Sequence, residues 1–147
     1  MNRTMAPKRT GFTLIEMLIV IVVIAILALI VIPRLLGAAR KAKEAALRGD
    51  LHQLRNAIEQ FEADMGDHPV ALDQLVAAKD NPPSGSGGSG LPLDGSAYRG
   101  PYLRNPDGDL PKDPFTNAAN WDYTPATGEV HSSSALIALD GTAYSSW

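Results

Sequence analysis

The chain has 147 residues, which allow one modest folded domain. It contains no cysteine, so disulfide bonds, thiolate metal sites and thiol nucleophiles are excluded. The net charge of −3 hides an uneven distribution, because residues 34–55 carry six cations against two acids, whereas residues 56–147 carry four cations and thirteen acids. A basic stem therefore leads into an acidic C-terminal part, and this acidity argues against nucleic acid as a partner of that part.

The first eleven residues are a short basic leader. They carry Arg3, Lys8 and Arg9 and no acidic residue, and they end at Gly11. Because four more cations lie in residues 34–43, beyond the apolar segment described next, charge alone does not orient the chain across a membrane.

The segment from Phe12 to Ile32 is apolar throughout its 21 residues apart from one charge. A helix of this length spans about 30 Å, the thickness of the hydrocarbon core of a bilayer. A secretory signal peptide is the alternative, but its apolar region covers only about 7–15 residues and ends at a cleavage site between small residues. The length therefore predicts a transmembrane helix over residues 12–33.

Glu16 is the single charged residue of this segment. An ionised carboxylate inside a bilayer is unfavourable unless it reaches the headgroups or meets a partner, and both options remain open at this point. The surrounding residues form the junction K-R-T-G-F-T-L-I-E. It combines basic residues, a glycine, an aromatic residue and a glutamate four positions after the aromatic.

This junction resembles the cleavage site of type IV prepilins and of type II secretion pseudopilins. The resemblance implies that a prepilin peptidase cuts between Gly11 and Phe12 and methylates the new amine of Phe12. It further implies a cytoplasmic leader and a single-pass subunit of the inner membrane, with its head outside the cytoplasm. Glu16 would recognise a neighbouring subunit, since its carboxylate can neutralise the α-amino cation of an adjacent Phe12 in low dielectric.

Beyond the span, the sequence predicts a helical stem. Pro33 lacks a backbone donor, so a kink is expected there. Farther on, apolar residues recur at spacings of three and four, the period of one helical face, and Gly66 supplies the stop signal. Arg40 and Lys43 occupy the same face upstream, which predicts that the stem is free of the head before Leu47. The apolar stripe consists of Leu47, Leu51, Leu54, Ile58, Phe61 and Met65.

The remaining residues predict a small α+β head, in which the long helix packs on an antiparallel sheet. A short helix is expected at 71–78, and the Pro-, Ser- and Gly-rich stretch 81–90 indicates a flexible loop that tolerates shortening. The predicted strands are Tyr98–Leu103, Trp121–Thr124 and Val130–Ser134, with a further strand at Ala135–Leu139 or Thr142–Ser145.

The head resembles the major, or G-type, pseudopilin of type II secretion systems. G-P-Y-L at 100–103 matches an element of that family, whereas Phe115 and Thr116 depart from the D-P-W-G-N segment that P-K-D-P-F-T-N resembles. The resemblance implies a pseudopilus subunit for protein export; a type IV pilin for adhesion, motility or DNA uptake is the alternative. The implied partners are copies of the chain, minor pseudopilins or pilins, the prepilin peptidase, the inner-membrane assembly platform and membrane lipid.

Acidic residues in the head are candidate calcium ligands, because carboxylate oxygens are what calcium prefers. The candidates are Asp107, Asp109, Asp113 and Asp140. They lack the spacing of an EF-hand, and aspartates that form turns are the competing interpretation, so we expect no tightly held cofactor. The sequence offers no nucleophile elbow and no phosphate-binding loop, and it therefore predicts a structural protein rather than an enzyme.

Overall fold

The computed structural model describes residues 11–104 and 108–147, without the side chains of residues 33–36. Its main element is a long helix, α1, at Leu14–Met65. Gly66 ends α1 with a φ of 86°, a conformation that glycine adopts without strain, and its N–H still bonds to the Glu62 carbonyl oxygen at 2.8 Å. The chain divides into two compact units, an N-terminal unit at Met1–Ala39 and a head at Arg40–Trp147.

The N-terminal unit leaves its apolar side chains uncovered. From Leu14 to Ile32 they are exposed on every side of the helix, for example 92% at Leu14 and 48% at Val20. A helix that is apolar all round has no polar face to turn toward water. Length and composition make α1 a helix that can cross a membrane, the one such helix among residues 11–104 and 108–147.

In the head, α1 supplies the core, as its apolar stripe predicts. All six stripe residues, Leu47 to Met65, are buried. The ring of Phe61 meets the rings of Tyr98 and Tyr102 edge to face, with centroids 6.3 and 5.9 Å apart. Trp121, Val130 and Tyr144 complete the core from the C-terminal part of the chain.

The sheet of the head has two antiparallel strands, β1 at Asp122–Thr124 and β2 at Glu129–His131. Their register pairs Tyr123 with Val130, and Gly128 allows the turn between them with a φ of 71°. Together with α1 this sheet confirms the predicted α+β class. Both strands are shorter than the sequence predicted.

The prediction of a strand at Tyr98–Leu103 was wrong. The backbone N–H groups of Tyr102 and Leu103 both donate to the Leu75 carbonyl oxygen, and the Tyr98 hydroxyl donates to the Ala77 carbonyl oxygen at 2.8 Å. The segment is therefore tied to a 3₁₀-helix at Leu72–Val76, which is shorter than the helix expected at 71–78. Pro101 supplies no N–H for a strand ladder, which explains this outcome.

The prediction of a further strand near the C-terminus was also wrong within the described residues. Residues 135–145 contain one isolated antiparallel bridge, between Ile137 and Ala143. The chain between them turns too tightly for a ladder, because the Ala138 N–H bonds to the Thr142 carbonyl oxygen at 2.7 Å. A 3₁₀-helix at Tyr144–Ser146 follows.

The loop at 81–90 is packed, contrary to the expected flexible loop. The Gly88 N–H donates to the His68 carbonyl oxygen at 2.8 Å, and Ser86 bridges to Pro92. Asp67 is buried beneath the loop and accepts hydrogen bonds from the Ser89 hydroxyl at 2.7 Å and from the Leu91 N–H at 3.0 Å. The small and polar residues of the loop therefore allow its backbone to approach the Asp67 carboxylate closely. They do not leave the loop disordered.

The contacts between α1 and the rest of the head begin at Arg40, earlier than predicted. The Arg40 guanidinium donates to the Ile137 carbonyl oxygen, and Glu44 accepts from the Leu139 N–H and the Tyr144 hydroxyl, both at 2.8 Å. These first turns are polar, so the apolar stripe could not reveal them.

Candidate assembly site

Thr13 and Glu16 form a reciprocal hydrogen-bonded pair at the start of α1. The Thr13 N–H and hydroxyl donate to Glu16 Oε2 at 2.7 and 2.9 Å, and the Glu16 N–H donates back to Thr13 Oγ1 at 3.3 Å. This is the capping box, which satisfies backbone donors that the first turn of a helix leaves unpaired. The motif T-L-I-E carries the S/T-x-x-E signature, so Thr13 was recognisable from sequence but was missed.

The pair presents a carboxylate on an apolar surface. Glu16 is exposed, as are its neighbours Ile15 and Met17, and Phe12 is 80% exposed just before the helix. Removal of water from this surface, by lipid or by another subunit, would leave the carboxylate in need of a cation. Glu16 can therefore act as a recognition group whose partner lies on another molecule.

The peptide bond between Gly11 and Phe12 lies outside regular structure. Residues 11–13 precede the helix, and no atom lies within 4 Å of the position that a Cβ on Gly11 would occupy. The junction is thus open to a peptidase within the described residues. Most of the predicted leader, residues 1–10, lies outside them, so the leader itself stays a prediction, as does the boundary at residue 33.

The kink expected at Pro33 also stays a prediction. Helix α1 is continuous from Leu14 to Met65, and the side chains of residues 33–36 are not described.

Two of the calcium candidates form hydrogen bonds within the head, and one lies outside the residues that the structure describes. Buried Asp113 accepts hydrogen bonds from the Ser132 hydroxyl and, at 2.7 Å, from the Phe115 N–H. Asp140 Oδ1 accepts from the N–H and hydroxyl of Thr142, and its Oδ2 lies 3.4 Å from Arg48. Asp109 lies on the segment after the gap, and Asp107 lies outside the described residues.

Calcium binding by the four candidates stays a prediction, because Asp107 lies outside the described residues. Residues 11–104 and 108–147 contain no cluster of three or more acidic or histidine side chains that could hold a metal. Calcium takes about six to eight oxygen ligands, and the oxygens of Asp113 and Asp140 are already engaged by donors of the protein.

Asp50 on α1 lies close enough to Asp113 for their charges to interact. Loss of water contact, with the Asp113 carboxylate as a second cause, raises the pKa of Asp50 above its ordinary value of 3.8. The unfolded chain therefore releases this proton at lower pH than the folded head does. Ionisation of Asp50 consequently destabilises the head as the pH rises from about 3.8 through its folded-state pKa.

We expect Asp50→Asn to raise the melting temperature of the full-length protein in detergent at pH 7, because asparagine cannot ionise. The gain should shrink as the pH falls through the folded-state pKa of Asp50 and disappear below about 3.8, where the wild-type carboxyl is protonated in both states. Near-UV circular dichroism follows the melting, and exposed Asp80→Asn is the matched control. An equal gain at pH 7 and at low pH would mean that packing, not ionisation, is the cause.

Comparison with known families covers both parts of the chain. The prokaryotic N-terminal methylation motif matches residues 7–32, and the type II secretion system (T2SS) protein G model matches residues 34–135. Type II secretion system core protein G of Vibrio cholerae serotype O1 is 35% identical over 114 residues, which cover 75% of this chain and 68% of that protein. The protein of the same name from Aeromonas hydrophila is 32% identical and covers 75% of this chain and 70% of its own length.

No solved structure matches the chain significantly. The family model for protein G nevertheless spans more than half of the residues, and it begins two positions after the methylation motif ends. The chain therefore belongs to the type II secretion system protein G family.

Proposed function

We propose that the chain is a structural subunit of a pseudopilus that helps to drive protein export by type II secretion. The observation that carries this proposal is the protein G match over residues 34–135, directly behind the methylation motif. The proposed role is assembly rather than catalysis. It depends on the surfaces through which subunits contact one another and requires no catalytic site.

Membrane insertion and processing come first in this proposal. The apolar part of α1 anchors the subunit in the inner membrane, with the leader in the cytoplasm and the head outside it. A prepilin peptidase then cuts between Gly11 and Phe12 and methylates the Phe12 amine. The open backbone at residues 11–13 supports this step, because the bond is not protected by helix.

Assembly follows when subunits pack their apolar helices against one another. Each Glu16 carboxylate then neutralises the Phe12 amine of an adjacent copy, so that both charges leave the lipid as a pair. The exposed apolar side chains between Leu14 and Ile32 supply the remaining contact. Minor pseudopilins and the inner-membrane assembly platform complete the set of proposed partners.

Deletion of the gene in the source bacterium tests the function. We expect proteins exported by type II secretion to accumulate inside the cells, and a plasmid copy of the gene should restore export. Intact export together with lost twitching, adhesion or DNA uptake would contradict the proposal and favour a surface pilin.

Gly11→Val should block processing, because the peptidase must accept the side chain that precedes the cut and valine is branched and bulky. We expect mass spectrometry to find the full precursor in the variant and a methylated chain starting at Phe12 in the wild type. Gly37→Val, another exposed glycine with no atom within 4 Å of its Cβ position, is the control and should be processed normally. A wild-type protein starting elsewhere would refute the assigned cut.

We propose that the head folds without bound calcium, since Asp113 and Asp140 are satisfied by protein donors. The melting temperature of the full-length protein should then be the same in EDTA and in millimolar calcium. A ligand at a hundred times its Kd stabilises the folded state by about 2.7 kcal/mol, so a specific site would raise the melting temperature by several degrees. Such a rise would place calcium in the head.

A further inference from the structure

A short apolar loop at residues 136–139 stands out from the C-terminal part of the head. Leu136, Ile137 and Leu139 are 54%, 57% and 49% exposed, whereas Ala138 between them is buried. We refer to residues 136–139 as the apolar loop. Three large apolar side chains side by side on a surface mark a contact site more often than isolated ones do.

The apolar loop is held in shape by the backbone around it. Ile137 bridges to Ala143, and the Ala138 N–H bonds to the Thr142 carbonyl oxygen at 2.7 Å. Asp140 Oδ1 fixes the turn by accepting from the Thr142 N–H at 2.9 Å. The exposed side chains are therefore presented by an ordered turn.

The loop is fastened to the first turns of α1 within the head. The Arg40 guanidinium donates to the Ile137 carbonyl oxygen, and the Leu139 N–H donates to Glu44. These bonds fix the apolar loop beside the part of the head that follows the membrane span in sequence.

The charged residues beside the apolar loop and on the first turns of α1 in the head carry a net positive charge. Glu44 lies 3.8 Å from Arg40, and Asp140 lies 3.4 Å from Arg48, so both nearby acids have basic partners. Lys41, the residue after Arg40 in α1, adds an exposed cation. An apolar loop beside basic side chains complements an anionic lipid surface, whose headgroups attract the cations while the apolar groups enter the interface.

The distance along the chain brings the loop within reach of the bilayer. Eight residue steps lead from Ile32, the last residue of the apolar segment, to Arg40. They cover about 12 Å as a helix and less than about 30 Å in any conformation. The polar layer of a bilayer adds only about 5–8 Å beyond the hydrocarbon on each side.

We propose that the apolar loop of the unassembled subunit docks on the anionic lipid surface next to its own membrane anchor. Leu136, Ile137 and Leu139 enter the interface, and Lys41 pairs with lipid phosphates. The contact rests on the membrane anchoring proposed above, and it holds the head at the membrane until assembly lifts it away. A second copy of the chain is the competing occupant, and the test below separates the two.

The natural absence of cysteine allows a single label to report on the loop. Full-length Ile137→Cys carries an environment-sensitive fluorophore and is reconstituted into vesicles of phosphatidylcholine, with or without phosphatidylglycerol. Ala126→Cys, in the exposed turn between β1 and β2, is the control. That turn lies near His68, about 37 Å along α1 from Arg40, because Gly128 packs against His68.

We expect lipids with a spin label near the headgroup to quench the fluorophore at position 137 several-fold more than at position 126. Quenching at position 137 should increase with phosphatidylglycerol, and Lys41→Gln should remove most of that increase. Equal quenching at both positions, or none at either, would overturn the proposal. Shielding of position 137 that grows with protein density and not with anionic lipid would assign the loop to a second copy and overturn lipid docking. Filament yield is scored separately, so failure here leaves the proposed function testable.

Discussion

Glu16→Ala should abolish filament assembly while leaving membrane insertion and leader cleavage intact. The change removes an ionisable group from an apolar helix, so an isolated subunit should enter the membrane at least as well as the wild type. The loss arises between subunits, where the Phe12 amine of the adjacent copy would remain in a dry interface without a counter-charge. Deletion of one partner of a buried pair is strongly destabilising, and the defect recurs at every subunit.

Filaments sheared from cells provide the measurement, after blotting has shown that the variant is cleaved and in the membrane. We expect filament yield to fall by more than about tenfold, which corresponds to about 1.4 kcal/mol per added subunit. Glu16→Gln should fail as well, since glutamine keeps the shape and the hydrogen bonding but not the charge. Abundant filaments from a correctly processed Glu16→Ala subunit would refute charge pairing.

The capping box adds a second consequence of Glu16→Ala that must be separated from the first. Glu16 also accepts from the Thr13 N–H at 2.7 Å, so its removal loosens the start of α1. Thr13→Ala takes away the capping hydroxyl and costs the helix about 1 kcal/mol, but it keeps the carboxylate. We therefore expect Thr13→Ala to assemble much better than Glu16→Ala. Equal defects would show that the helix start, and not the charge, controls assembly.

Sequence reasoning worked best where periodicity or a local motif carries the information. The stripe from Leu47 to Met65 predicted the buried face of α1 correctly, because residues spaced three and four apart lie on the same face of a helix. The strands predicted at Trp121–Thr124 and Val130–Ser134 were also found, in shorter form, on either side of a turn in which Gly128 adopts a positive φ. Both features depend on residues close in sequence.

Two of the failures involve polar contacts between residues far apart in sequence. Glu44 bonds to Leu139 and Tyr144, which lie about a hundred positions away, so no local pattern marks it as the start of the packed stem. The stretch 81–90 has the composition of a flexible linker, yet Asp67 organises it through hydrogen bonds to its backbone. A high glycine content shows that the backbone can adopt many conformations. Whether such a segment packs closely depends on the group it packs against, which here is Asp67.

Gly88→Ala should destabilise the head, in contrast to the tolerance expected of a flexible loop. A Cβ at position 88 would lie 2.1 Å from the Pro125 carbonyl oxygen and 2.6 Å from its carbon, and backbone atoms cannot yield without moving the turn after β1. Displacing the loop would also weaken the bond from the Gly88 N–H to the His68 carbonyl oxygen. Overpacking of this kind costs about 1–3 kcal/mol, and we expect the upper end of that range.

Gly49→Ala is the matched control, because it makes the same change on the exposed surface of α1, where no atom lies within 4 Å of the new Cβ. Alanine is better than glycine in a helix by about 1 kcal/mol, so this variant should be more stable than the wild type. Thermal unfolding of both full-length variants in detergent should separate them by about 3–4 kcal/mol in free energy of unfolding. Equal or higher stability of Gly88→Ala would mean that the loop at 81–90 is not packed against Pro125 and His68.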